Sequence, residues 1–207
     1  MTKEVFIVGN GPLPHDLSER VDAAAHVVRF NEPKASIGWS GTRTDWLFIN
    51  NSGKPMQRRI LNPEYAHSPI VRAADFVFFA YHPMTIRNYL IKPNILSRLS
   101  GRKADWTPAA LDMFGRSGKK IVILPPSYYE EGCDMLAIPE QERRTVFPTT
   151  GFFGIRYTLE RFVGGEWDIH ICGFSWEGWK RHAWNAERDW LVRQVEERKL
   201  TLWRADD

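Results

Sequence analysis

Residues 5–12 read Val-Phe-Ile-Val-Gly-Asn-Gly-Pro, an apolar run that ends abruptly in small and polar residues. Four consecutive β-branched or aromatic side chains favour a buried strand, and the Gly-Asn-Gly that follows favours a turn. In open α/β sheets, ligands bind at the carboxyl ends of the parallel strands. The stretch therefore predicts the first strand of such a sheet, with Asn10 and Gly11 forming either a structural turn or part of a nucleotide site.

Further apolar runs repeat this strand pattern along the chain. They cover residues 26–30, 46–49, 76–80, 121–124, 169–172 and 200–203. Apolar residues at helical spacing, together with capping signals, predict helices over residues 87–100, 107–115, 149–162 and 184–197. The alternation predicts a single-domain, Rossmann-like α/β fold over residues 1–207, with an open, mostly parallel sheet of about seven strands and helices on both faces. Residues 125–148 are rich in proline and charge and are predicted to form a mobile loop near the site.

The composition is that of an ordinary globular protein, with 43% apolar and 26% charged residues and a net charge of +3. The small, scattered positive excess permits an anionic ligand but lacks the basic stripe typical of nucleic-acid binders, and the basic run at residues 57–59 is interpreted as a solvated helix face. Cys133 and Cys172 form no paired pattern, which favours a reduced, cytoplasmic setting. No stretch reaches the ~20 apolar residues of a membrane span. The oligomeric state is not readable from the sequence.

Two further groups of polar residues lie at predicted element ends. Asn31 follows the second strand as Asn10 follows the first, and neutral amides there can donate to a phosphodiester or a ribose, although each can also be a simple cap. Thr149, Thr150 and Gly151 open a predicted helix, where free N–H groups and hydroxyls suit an anion or a nucleotide. Capping alone would also explain a threonine at this position.

The first of these segments resembles the long sialylmotif of the eukaryotic-type sialyltransferases (glycosyltransferase family 29). The matching residues are Val8-Gly9-Asn10-Gly11, Val21-Asp22, Val27-Val28-Arg29-Phe30-Asn31 and Gly41-Thr42-Arg43-Thr44. In that family both motif asparagines contact the CMP donor, and the resemblance assigns this role to Asn10 and Asn31. Gly11 stands where the family has a serine, and Ala25 stands where it has an acidic residue.

The segment 148–174 resembles the short sialylmotif of the same family, with Pro-Thr-Thr-Gly, a helix, and a strand that ends in Gly-Phe. By this match Thr149, Thr150 and Gly151 contact the nucleotide and Gly173 lies beneath it. Animal members join the first strand to this helix by a disulfide. Aligning the motifs places Val5 and Phe162 at the two cysteine positions, so an apolar contact is expected in place of the bridge.

The family's last motif, His-x4-Glu followed by a helix and a terminal strand, resembles His182, Glu187 and the elements after them. The resemblance implies that His182 removes the proton from the acceptor hydroxyl. The unperturbed pKa of histidine is ~6.5, and a positive helix end would keep the ring neutral. Glu187 either orients a neighbouring group or has a structural role. The family's His-Tyr-aromatic-acid motif is not evident, and Trp176 or Trp179 is interpreted as taking over part of its acceptor-binding role.

The resemblance implies the sialyltransferase-type variant of the GT-A fold and an inverting glycosyltransferase in a minimal, bacterial form. Such an enzyme would move sialic acid or the related keto-sugar Kdo from a CMP-sugar to a hydroxyl of a glycan. The chain has no Asp-x-Asp, and CMP leaves as a monophosphate, so neither a metal nor another cofactor is expected. Two alternatives stay open: a Rossmann enzyme using NAD or S-adenosylmethionine, and a non-catalytic nucleotide-binding or accessory protein on the same fold.

Overall fold

The structure, a computed structural model, describes residues 2–32, 38–162, 164–197 and 200–204. In these residues seven strands form one sheet in the order β5-β4-β3-β2-β1-β6-β7, and every neighbouring pair is parallel. The strands are β1 (Lys3–Val8), β2 (His26–Phe30), β3 (Trp46–Ile49), β4 (Phe76–Phe79), β5 (Lys120–Ile123), β6 (Trp167–Cys172) and β7 (Leu200–Leu202). The predicted fold class is confirmed, and so are the predicted strand positions to within two residues.

Helices connect the strands in the described part of the chain. They are α1 (Ser18–Ala23), α2 (Gly53–Ile60), α3 (Pro63–His67), α4 (Pro69–Ala73), α5 (Pro83–Asn88), α6 (Ile95–Leu99), α7 (Thr107–Arg116), α8 (Pro126–Met135), α9 (Thr150–Arg161) and α10 (Trp184–Glu197), with a short 3-10 turn at Glu140–Glu142. None of the helices described is long and apolar enough to cross a membrane.

The core lies on both faces of the sheet, because successive side chains of a strand point in opposite directions. In β1, Val5 and Ile7 join a large cluster that includes residues of α8, α9 and α10. Phe6 and Val8 join a second cluster with residues of α1 on the other face. The helices thus cover both faces, as the alternation of elements predicted.

The predicted helix over residues 87–100 is wrong as a single element. The chain forms α5 and α6 instead, with irregular backbone over residues 89–94. Pro93 disfavours helical backbone at the residue before it, and the Asn94 side chain accepts a hydrogen bond from the Ser97 N–H at 2.8 Å. Asn94 therefore caps a new helix at the point where the apolar spacing suggested a continuous one.

The predicted mobile loop over residues 125–148 is also wrong in its first half. Pro126 occupies the first turn of α8, a position that tolerates proline because its missing N–H would have no helical partner. Tyr129 and Cys133, four residues apart on one side of α8, are buried in the large core cluster. The charged residues that suggested a loop occupy the exposed side of an amphipathic helix.

Val5 and Phe162, expected to touch, lie in the same part of the core. Phe162 packs against the cluster that contains Val5, and its ring centroid is 4.9 Å from that of His26. His26 is the sheet partner of Val5. The two positions therefore share one apolar environment, while a direct contact between their side chains stays a prediction.

Candidate active site

The carboxyl ends of β1 and β6 meet backbone to backbone. The Gly9 N–H donates to the Cys172 carbonyl at 2.8 Å, and the Gly11 N–H donates to the Gly173 carbonyl at 2.7 Å. A Cβ on Gly9 would lie 2.2 Å from the Gly173 oxygen, and Gly173 has a φ of +71°. Gly9 and Gly173 are therefore required by the structure of the turn itself. This structural role is compatible with the position of the turn at the edge where the strands end.

These strand ends form one wall of a cavity of about 490 Å³, here called the rim pocket. It is lined by Gly9, Asn10, Gly11, Phe30, Asn31, Asn50, Pro55, Arg58, Arg59, Thr149, Thr150, Gly151, Gly173, Phe174, Ser175, Trp176, Glu177, His182, Trp184 and Glu187. Parallel strands bring their carboxyl ends to one edge of a sheet, so residues distant in sequence meet there. The rim pocket contains all the site residues predicted from the sequence except Trp179.

The two motif asparagines keep unused hydrogen-bonding groups in the rim pocket. Asn31 has a φ of +51°, and its Oδ1 accepts from the Asn50 N–H at 2.9 Å, which joins the ends of β2 and β3. Its side-chain NH₂ has no partner among the described residues. The Oδ1 of Asn10 is buried and likewise has no partner within the described chain. Buried polar atoms are nearly always paired, so the Oδ1 of Asn10 is expected to accept a hydrogen bond from a bound ligand.

The start of α9 combines a used cap with unused donors. The Thr149 hydroxyl accepts from the Phe152 N–H at 2.9 Å and donates to Glu187 at 2.6 Å, and the Thr149 N–H also donates to Glu187 at 2.7 Å. The next two N–H groups, of Thr150 and Gly151, have no partner in the described part of the chain. These free amides at the positive end of a 12-residue helix favour an anion.

Glu187 ties α10 to the start of α9. Only 1% of the residue is exposed, and burial raises the pKa of its carboxyl to about 7 against the opposing effect of the two hydrogen bonds from Thr149. The carboxylate fixes the position of Thr149 and hence the direction of the free amides that follow. The two interpretations of Glu187 are therefore compatible, because its structural bonds orient a neighbouring group.

Arg58 and Arg59 both line the rim pocket but differ in burial. The Arg58 guanidinium is exposed and pairs with Glu32 at 3.0 Å, as expected of a solvated helix face. Arg59 is 5% exposed, so that interpretation is wrong for it. Its Nη1 donates to the Asn50 carbonyl at 3.3 Å, while its buried Nε makes no hydrogen bond among the described residues and lies 3.8 Å from Glu32 Oε2. Burial lowers the pKa of Arg59, as expected when a cation loses water.

His182 is held in one tautomer by the backbone. Its Nδ1 lies 3.1 Å from the carbonyl oxygen of Phe147, and a carbonyl can only accept, so Nδ1 carries the proton of the neutral ring. Nε2 then has a free lone pair, which is the requirement for a base. Burial lowers the pKa of His182, against the smaller effect of the Phe147 hydrogen bond. The ring is therefore neutral near pH 7 because of burial, a cause the sequence did not indicate.

A second cavity of about 560 Å³, here called the side groove, adjoins the rim pocket. It is lined by Asn50, Ser52, Gly53, Lys54, Pro55, Gln57, Tyr81, Leu90, Ile91, Pro93, Ser97, Arg102, Lys103, Ala104, Phe147, Trp179 and His182. His182, Asn50 and Pro55 line both cavities. His182 thus stands at the junction of a polar pocket and a mainly apolar groove that contains cations but, among the described lining residues, no carboxylate.

The two nominated tryptophans lie on different sides of this junction. Trp176 stacks on Phe174 with ring centroids 5.6 Å apart and lines the rim pocket. Trp179 stacks on Phe147 at 5.8 Å, is 50% exposed, and lines the side groove. The two tryptophans therefore line different cavities, and the expectation that either of them binds an acceptor stays a prediction.

Other residues of the first motif stabilise the loop before β3. The Asp22 carboxylate accepts from the Thr42 N–H at 2.9 Å and the Arg43 N–H at 2.8 Å. Arg29 is 1% exposed and donates to the Ser40 hydroxyl and the Arg43 carbonyl, each at 2.8 Å. Only part of the motif therefore faces the pocket. Within the described residues no group of three or more His, Cys, Asp or Glu side chains is arranged to hold a metal ion.

The amino-acid sequence is similar to that of a protein named for a urease operon. No protein-family model matches it. It is 27% identical to the urease operon 23 kDa accessory protein of Rhizobium meliloti strain 1021, over 98% of this chain and 95% of that protein.

Several solved sialyltransferases are similar to the chain in structure. A mammalian sialyltransferase superposes with a TM-score of 0.56 at 14% identity, covering 98% of this chain and 69% of that one. The sialyltransferase CstII from Campylobacter jejuni, in complex with the substrate analogue CMP-3FNeuAc, superposes with a TM-score of 0.54 at 16% identity, covering 97% and 78%. A complex of CstII with cytidine-5′-monophosphate gives 0.52 at 17% identity, covering 97% and 79%. The chain has the fold of these sialyltransferases.

Proposed function

We propose that the chain is an inverting glycosyltransferase that holds a CMP-sugar in the rim pocket and an acceptor in the side groove. The observation that carries the proposal is the position of His182, whose imidazole lines both cavities and whose Nε2 is left free. A base must reach the acceptor hydroxyl while the donor's anomeric carbon lies next to it. A residue at the junction of two cavities meets this requirement.

The chemistry of the rim pocket suits cytidine monophosphate. The free amide groups of Asn10 and Asn31 can bond to the base or the ribose. The N–H groups of Thr150 and Gly151 and the buried guanidinium of Arg59 supply positive potential for the phosphate. The fold adds support, because the CstII structures of the same fold hold CMP or its sugar analogue.

The reaction that follows is a direct displacement. The acceptor hydroxyl gives its proton to Nε2 of His182, and its oxygen forms a bond to the anomeric carbon of the donor sugar. The bond from that carbon to the phosphate oxygen breaks, and CMP leaves with the electron pair. Attack opposite the leaving group inverts the configuration. The charge that develops on CMP is stabilised by the helix-start amides and Arg59, in the role that fixed dipoles play in other transferases.

The side groove indicates the class of acceptor. Trp179 and Phe147 offer aromatic faces on which a sugar ring can stack. Lys54, Arg102 and Lys103 supply positive charge with no carboxylate among the lining residues described. We therefore propose an acceptor that carries an anionic group beside its reactive hydroxyl. The donor sugar is sialic acid or Kdo, as the resemblance implies.

A non-catalytic accessory protein is the second candidate. The observation that favours it is the relative from Rhizobium meliloti, whose name assigns it an accessory role in a urease operon. In that case the rim pocket would bind a nucleotide without turnover. The two candidates share the pocket and differ only in the chemistry at His182.

A ligand screen separates these proposals. Thermal unfolding is measured with CMP, CTP, NAD and S-adenosylmethionine, and we expect CMP to raise Tm because it binds only the folded state. Asn10→Ala should abolish this rise, while Asn88→Ala, at an exposed position on α5, should keep it. Stabilisation by NAD or S-adenosylmethionine instead of CMP would contradict the proposal.

Turnover is then tested by the release of CMP from CMP-sialic acid and CMP-Kdo in the presence of anionic glycan acceptors. A transferase releases CMP in proportion to the glycoside formed. Binding of CMP without any release would favour the accessory protein.

A further inference from the structure

Residues 83–104, from the start of α5 to just before Asp105, concentrate positive charge. Residues 83–104 contain Arg87, Lys92, Arg98, Arg102 and Lys103 and no acidic residue, although the whole chain has 28 basic and 25 acidic residues. All five side chains are exposed. None of them forms an ion pair with a described residue. This part of the surface therefore has cations without internal counter-charges.

The same segment exposes aliphatic side chains. Helix α6 has no buried residue, and Ile95, Leu96 and Leu99 are 75%, 77% and 80% exposed. Ile91 and Met84, nearby in sequence, are 49% and 55% exposed. Large aliphatic groups are unfavourable in water, and a cluster of them on a surface marks a site of contact. Helix α6 therefore lacks a partner for its apolar side chains in the described structure.

We propose that residues 83–104, here called the basic-apolar patch, dock on the surface of an anionic lipid bilayer. Exposed aliphatic groups among unpaired lysines and arginines are the pattern of peripheral membrane segments, in which the apolar groups enter the headgroup region and the cations meet anionic lipids. Five residues of helix are far too short to span a bilayer. Pairing of this patch with a second copy would oppose five cations with five cations.

The patch borders the candidate active site. Ile91, Arg102 and Lys103 belong to the patch and also line the side groove. Docking would therefore place the mouth of the groove at the membrane surface, where acceptors attached to lipids would be presented to it. The docking itself does not depend on the transfer reaction, so each can fail without the other.

Vesicle co-sedimentation of the full chain tests the proposal. We expect binding to mixed phosphatidylcholine–phosphatidylglycerol vesicles, weakening with added salt, and little binding to pure phosphatidylcholine. Arg98→Glu with Arg102→Glu should weaken binding by roughly 25-fold or more, from about fivefold for each cation lost near the surface. Leu96→Ser with Leu99→Ser should also release the protein. The matched controls are Arg193→Glu on α10 and Leu61→Ser, 72% exposed after α2, which should bind as the unchanged protein does.

Three outcomes would overturn the proposal. One is no binding to the mixed vesicles by a protein that unfolds cooperatively. Another is equal loss of binding in the patch variants and their matched controls. The third is a dimer in analytical ultracentrifugation that the Leu96→Ser, Leu99→Ser variant cannot form, because the patch would then be an interface between copies of this chain.

Discussion

The rim pocket and the side groove share His182 but are built in different ways. The rim pocket is centred on the ends of β1, β2, β3 and β6 and the start of α9, with further residues from α2 and α10. Its unused groups are backbone N–H donors, side-chain amides and the Nε of Arg59. The side groove is lined mainly by α2, the segment around α6 and the loop before α10, with Asn50 and Tyr81 just after β3 and β4. Parallel-sheet topology thus brings together the centre of the first cavity, whereas most of the second depends on how separate helices pack.

This contrast implies that the two cavities bind different substrates, which mutations can test. If the rim pocket holds the nucleotide and the groove holds the acceptor, changes in each cavity should affect one substrate and not the other. Of the three residues that line both cavities, only His182 offers a basic nitrogen, so its loss should affect turnover without a matching loss of binding.

The largest effect is expected from His182→Ala. Removing a general base typically lowers turnover by about 10²–10⁴-fold, while the rim pocket keeps its amides, Arg59 and helix-start donors. We therefore expect kcat to fall by that factor with the Kd for CMP unchanged, measured by CMP release and by titration calorimetry. His67→Ala, at an exposed position of α3, is the control. Turnover retained in His182→Ala would remove this residue from the role of base.

The next effect is expected from Arg59→Gln. Hydrogen bonds to charged groups contribute about 2 kcal/mol each, so losing the buried guanidinium should weaken CMP binding by roughly 10–100-fold. Cytidine, which has no phosphate, should bind equally well to both proteins. Arg58→Gln changes the exposed neighbour and should alter the Kd for CMP by less than about threefold. Equal losses for CMP and cytidine would place Arg59 away from the phosphate.

The Glu187 carboxyl provides a pH-dependent test of the rim pocket. Its pKa of about 7 in the folded protein lies above the usual value of 4.5. The folded state therefore holds this proton more tightly, so the contribution to stability is complete below about pH 4.5 and is lost as pH rises through 7.

Glu187→Gln should remove this dependence, so the Tm difference between the variant and the unchanged protein should shift in favour of the variant from pH 6 to pH 8. The expected change between pH 6 and pH 8 is on the order of 1 kcal/mol, or a few degrees in Tm. Thermal unfolding over this pH range measures it. A Tm difference that stays constant with pH would show that Glu187 does not titrate in this window.

The smallest effect is expected from the paired substitutions Trp176→Ala and Trp179→Ala. Loss of one aromatic stacking partner costs about 1 kcal/mol, or roughly fivefold in affinity. Trp176→Ala should raise the Kd for CMP and leave the KM for the acceptor unchanged. Trp179→Ala should do the opposite, as steady-state kinetics and CMP titration can establish. If both variants change the same constant, the two cavities do not serve separate substrates.

The sheet and much of the rim pocket could be predicted from the sequence, because each depends on local pattern. A parallel strand buried on both faces is a continuous apolar run. Asn31 comes directly after such a run and Asn10 two residues after one, while Gly173 was assigned to the site by the family resemblance. The order of the strands in the sheet then brings these positions together. Thr150 and Gly151 follow from the helix signal at residue 149 in the same way.

The remaining residues could not be predicted because their roles depend on tertiary packing. Arg59 occurs in a basic run that resembles any solvated helix, and its burial arises only when α2 folds beside Asn50, the residue after β3. Asn50 follows β3 as Asn31 follows β2. Its place after a strand was therefore a signal for the pocket, but the comparison with the family motifs did not use it. The side groove joins residues from several elements, and no spacing within one of them indicates it.

The binding mode of CMP can be established by a crystal structure of the protein with this nucleotide. We expect CMP to lie between Asn10, Asn31 and the Thr150–Gly151 amides, with its phosphate near Arg59 and its sugar-bearing oxygen directed towards Nε2 of His182. A nucleotide bound elsewhere, or bound with its phosphate turned away from His182, would show that the rim pocket is not the donor site.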